Sequence, residues 1–106
     1  MIEPEKLYEK AMSAAEEWAD YDHAAGLLED LLSTVEGSIA SRLKSEGESI
    51  SIIPKLIKKD PQWKESASQW REAKKQALIA KLKYEQINRF MDNIRTKEST
   101  ERALAR

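Results

Sequence analysis

From Leu7 to Ile39 the apolar positions advance in alternating steps of four and three: Leu7, Ala11, Ala14, Trp18, Tyr21, Ala25, Leu28, Leu32, Val35, Ile39. Such spacing keeps one narrow stripe of a helix facing a partner, which is the seam of a coiled coil. Ala11, Trp18, Ala25, Leu32 and Ile39 take heptad position a, and Leu7, Ala14, Tyr21, Leu28 and Val35 take position d. Pro4 suits the first turn of a helix, and Glu3 and Glu5 suit the positive end of its dipole. Gly47, within SEGES, is a natural terminator. The pattern predicts a helix over about 4–44.

A second seam runs Trp63, Ser66, Trp70, Ala73, Ala77, Ala80, Tyr84, Ile87, Met91, Ile94. Asp60 is placed to cap its start and Pro61 to fill its first turn, so a helix is predicted over about 61–104. Residues 45–60 form a corner. Within it Pro54 can open a short helix over 54–59, and Ile50, Ile52, Ile53 and Leu56 are expected to cap the hairpin end. A short connection makes two long helices antiparallel neighbours. The expected fold is therefore all-α: a single domain over 1–106, an antiparallel coiled-coil helical hairpin with a short helical corner.

Size complementarity suggests a register. Leu32 would face Ala73, Leu28 Ala77, Tyr21 Tyr84 and Trp18 Ile87, so that large residues meet small ones along much of the seam. In that register Glu29 lies beside Lys74 and Asp22 beside Lys81, as flanking e-position ion pairs that choose orientation more than they stabilise. Gly26 and Gly37 interrupt the first helix, each weakening it by about 1 kcal/mol relative to Ala. Apolar residues also lie off the seam. Leu27, Leu31, Leu78, Ile79, Leu82 and Phe90 make a second apolar face that a lone hairpin would leave in water, and a homo-oligomer is expected to cover it.

Charge changes the picture next. Residues 1–53 carry 12 Asp+Glu and 4 Lys+Arg, a net −8; residues 54–106 carry 7 and 14, a net +7. Either the halves pair with each other or the basic half meets a polyanion. Around the corner, Lys55, Lys58, Lys59 and Lys64 surround Trp63. Basic residues interleaved with an aromatic suit single-stranded nucleic acid, because bases stack on the ring and phosphates meet the ammonium groups. Along the second helix Arg71, Lys74, Lys75, Lys81 and Lys83 extend the candidate surface. The competing reading for each is an ordinary solvated face, with Trp63 covering the helix ends. The overall charge of −1 makes an oligomer, which repeats the basic stripe, the expected binder.

Chemistry of other kinds has little to stand on. The chain has no cysteine, so disulfides and thiolate zinc sites are excluded. His23 is the lone histidine and falls on the outer f position; Asp20 precedes it by three, but no second such motif completes a bundle metal site. There is no glycine-rich phosphate loop and no nucleophile elbow, so no catalytic residue, metal or cofactor is assigned. No apolar run approaches 18 residues and the N-terminus lacks a signal pattern, so no membrane is expected and a cytoplasmic location is the default.

The segment KKQALIAKLKY, Lys74 to Tyr84, resembles the central helix of the UvsY family of phage recombination mediators through the shared pattern KKxALxAxLxY. The tail RTKESTERA is similar to that of small phage-encoded helical proteins associated with recombination genes. The resemblance implies a non-catalytic helical oligomer that binds single-stranded DNA. It would help a RecA-like recombinase displace single-strand-binding protein, in the cytoplasm of a bacterial host. By position Lys81 matches a basic residue of the family's DNA-binding segment, and Ile79 stands where another basic residue is expected. The alternative is a structural or adaptor hairpin acting through protein–protein contacts, such as a phage assembly factor. It needs only the seams and the second apolar face.

Overall fold

The computed structural model describes residues 3–105. Three helices follow in order: α1 (Pro4–Ser45), α2 (Ile53–Lys59) and α3 (Pro61–Ala105). The expected boundaries hold to within one residue, because each is set by local chemistry. Pro4 opens α1, whose Leu7 amide donates to the Glu3 carbonyl at 3.1 Å. Gly47 closes it with φ +87, in the left-handed region that glycine adopts without a steric cost. There the Gly47 amide donates to the Lys44 carbonyl and the Glu48 amide to the Leu43 carbonyl, each at 3.1 Å. These are the paired bonds of a Schellman cap. At the start of α3 an Asp60 carboxylate oxygen accepts from the Gln62 amide at 2.8 Å, the cap its position suggests.

The two long helices pack along their seams. On α1 Leu7, Ala11, Ala14, Ala25, Leu32, Val35 and Ile39 are buried, with Leu43 extending the stripe; on α3 Ser66, Ala77 and Ala80 are buried. Ala67, at only 1% exposed, joins them from position e. The tightest part is at the corner, where Val35, Ile39, Leu43 and Ile53 form a cluster flanked by Ala40, Leu56, Ile57 and Trp63. Ile53 and Leu56 thus cap the hairpin as expected. Ile50 and Ile52 do not; they are exposed, because the turn before α2 carries them outward.

The register differs from the size-complementary one. Trp18 stacks on Tyr84, ring centroids 5.5 Å apart, rather than lying beside Ile87. Glu17 meets Lys83, Glu36 meets Trp63 and Arg42 meets Asp60. The slip is about three residues, or roughly 4.5 Å of rise. Its cause is the corner: α2 occupies the end of α1 around Ile39 and Leu43, so α3 starts lower along α1 than a bare turn would place it. Tyr21 loses its facing tyrosine and is exposed. At the other end α3 runs on past the start of α1, and Leu104 is 82% exposed.

The molecule measures 81 × 22 × 14 Å, one helix thick. Its radius of gyration is 23.0 Å, against about 13 Å for a compact chain of this length. Among the described residues no large side chain is fully buried, and no helix is long and apolar enough to cross a membrane.

Candidate nucleic-acid interface

Heptad phase divides the hairpin into two flanks. In an antiparallel pair the e positions of both helices lie on one side of the seam and the g positions on the other. The e flank of α3, widened by the adjoining b positions, carries Lys64, Arg71, Lys74 and Lys81, all exposed. Lys75, at f, lies on the outer side of α3 beside them and is also exposed. Lys55, Lys58 and Lys59 are exposed on α2, the helix that immediately precedes α3. Lys83 is separated from the rest: it sits at g on the opposite flank, 3.4 Å from Glu17.

The interhelical pairs expected from the charge pattern do not form. Neither Glu29–Lys74 nor Asp22–Lys81 is an ion pair. Lys74 instead places its ammonium over the Trp70 ring, 3.8 Å from the centroid. That cation–π contact, typically about 0.5–1 kcal/mol at an exposed site, holds Lys74 along its own helix. Trp70 and Lys74 are four apart, a spacing that brings side chains together on a helix. This pair was legible in the sequence, where the expected ion pair with Glu29 obscured it. Among the described residues Lys83–Glu17 is the one ion pair joining an acid of α1 to a base of α3. Arg42–Asp60, at 3.0 Å, runs the other way, from a base of the acidic half to an acid of the basic half.

Trp63 has a structural task. Its ring is half-buried against the corner cluster, and its indole N–H donates to Glu36 at 2.9 Å. Among the described residues the lysines around it have no carboxylate partner within ion-pair distance, but the ring is committed to covering the helix ends. The corner is further braced by Asp60. The Arg42 guanidinium holds the Asp60 carboxyl below the usual carboxylate range; partial desolvation opposes this, and the Gln62 and Trp63 amides reinforce it.

No family model, curated protein or solved structure matches the chain. Function is therefore argued from the surface itself. His23 is exposed on α1, and among the described residues no group of three or more His, Asp or Glu side chains is placed to hold a metal ion. Two open grooves line α1. One is bordered by Ser13, Glu16, Glu17, Asp20 and Tyr21, the other by Ala15, Trp18, Ala19, Asp22 and Tyr84. Both are acidic or neutral, and neither includes a residue of the basic strip. What the arrangement offers chemically is a row of ammonium and guanidinium groups along one side of α3, facing water and suited to a chain of phosphates.

Proposed function

We propose that this protein binds single-stranded DNA through the basic strip of α3 and the lysines of α2. We propose further that it acts as a non-catalytic recombination mediator, assisting a RecA-like recombinase to load in place of single-strand-binding protein. The observation that carries DNA binding is the uncancelled charge. A basic half at net +7 lies against an acidic half at net −8, yet among the described residues a single ion pair joins an acid of α1 to a base of α3. Arg71, Lys74, Lys75 and Lys81 are thus available to a polyanion. The mediator role adds to this the resemblance of residues 74–84 to the UvsY family.

Fluorescence anisotropy with a labelled oligonucleotide tests the reading. Binding is expected at low salt and falls steeply as salt rises, because each neutralised phosphate releases counterion. The variant R71Q/K74Q/K75Q is expected to bind more weakly and to reduce the log–log salt slope by roughly 2, three contacts at about 0.7 each. K83Q, on the opposite flank, is expected to leave the slope unchanged. No binding at low salt by a helical protein removes the DNA reading.

A second reading, an adaptor hairpin, is favoured by the half-exposed leucines alone. Under it, neutralising Lys58 and Lys59 changes nothing, and the triple variant alters no property beyond stability.

A further inference from the structure

The flank opposite the basic strip is built to be covered. Leu31 and Phe90 occupy g positions and Leu27 and Ile79 adjoining c positions, each 46–56% exposed. The g positions between Leu31 and Ile79 are the uncharged Ala24 and Gln76, with the Lys83–Glu17 pair farther along toward Phe90. The chain exposes 8345 Å², whereas a compact monomer of 12.2 kDa exposes roughly 6,100 Å². A face 81 Å long and 22 Å wide exceeds the roughly 800 Å² per partner that a stable interface takes.

We infer that a second copy of this chain covers the g flank, giving a four-helix bundle with both corners at the same end. Charge decides the orientation. A two-fold axis along the helices lays acidic α1 of each copy on basic α3 of the other. A two-fold axis across the helices would lay α1 on α1 and α3 on α3, acid on acid and base on base. The observed register agrees with the first arrangement. Trp18 is level with Tyr84, so Leu27 lies within about a turn of the level of Ile79 in the second copy. Lys83 lies level with Glu17 of its own hairpin and comes within reach of Asp20 of the second copy. Leu78 and Leu82 fall at b and f, round the back of α3. Leu82 lies at the rim of this contact and Leu78 outside it. The basic strip stays in water on both outer sides, so the dimer does not rest on the DNA reading and does not obstruct it.

Light scattering at micromolar concentration and disulfide trapping test the proposal. The wild type is expected at twice 12.2 kDa, and L27D/I79D at the monomer mass with its helical circular dichroism retained. Those side chains are half-exposed, so the hairpin itself survives the change. L78D is expected to remain dimeric. The chain contains no cysteine, so single-cysteine chains can be mixed. S38C with E65C, on the same level in facing helices, is expected to give a crosslinked dimer. A monomeric wild type, or a dimer that L27D/I79D leaves intact, overturns the interface. Crosslinking of S38C with S13C in place of E65C overturns the orientation. Loss of DNA binding leaves all these readouts standing, so the two proposals fail separately.

Discussion

Gly47 is the residue whose backbone most directly shapes the hairpin. At φ +87 it is the C-terminal stop of α1, and any side chain there meets the left-handed penalty. G47A is expected to lower stability by about 1–2 kcal/mol in urea titration. Gly37 is a different case. It lies inside α1 with open space around its missing side chain, so G37A is expected to raise stability by about 0.5–1 kcal/mol. Equal effects from the two substitutions would contradict this account. Asp60 supplies a pH dependence. Its folded pKa is depressed by Arg42, so its contribution is present above the unfolded value of about 3.9. It is lost as pH falls below that value and through the folded pKa. The melting-temperature difference between wild type and D60A is therefore expected to be constant from pH 7 to 5 and to shrink on further acidification. A difference that grows in acid would show that Asp60 is not held in its ionised form.

At the level of elements, the corner is the strongest joint. Ile39, 2% exposed, sits where α1, α2 and Trp63 of α3 converge. I39A is expected to cost about 2–5 kcal/mol in denaturant unfolding. An unperturbed melt would mean the cluster is not a core. Much of this level was legible beforehand. The seam residues, the two prolines that open α1 and α3, the Asp60 cap and the glycine stop all follow from neighbours in sequence. The register was not. It depends on where α2 lodges against Ile39 and Leu43, a contact between segments whose local patterns are silent about each other. The three-residue slip then brought Lys83 to Glu17, while Lys74 lies over Trp70 of its own helix. The ten candidate nucleic-acid residues accordingly divide into exposed bases on α2 and α3, one lysine paired across the seam with Glu17, and one tryptophan half-buried against the corner cluster. Only the first group remains both exposed and open to the role the sequence suggested.

Across the whole molecule, most of the candidate bases of α3 and most of the half-exposed off-seam apolar side chains lie on different flanks. The e flank of α3 gathers exposed bases, while the g flank gathers half-exposed apolar side chains together with the Lys83–Glu17 pair. A two-helix hairpin buries too little to be compact, as its 23.0 Å radius of gyration shows. The unburied apolar surface and the unpaired charge are therefore the two quantities that a partner would change. Apolar area drives association with little salt dependence, whereas phosphate binding weakens steeply with salt. Dimer mass and DNA affinity measured across one salt series consequently separate the two surfaces.

The sequence by itself determined the helices, their ends, their antiparallel pairing and the stripe each buries. These depend on period, caps and breakers, all within a few residues of one another. Tertiary structure alone decided the register, the fate of Trp63, Ile50, Ile52 and Tyr21, and which lysines remain unpaired. Those outcomes turn on a few ångströms of axial position, which only the packing of α2 into the corner sets. A heptad seam repeats along its length and tolerates such a slip, so its own pattern leaves the choice open.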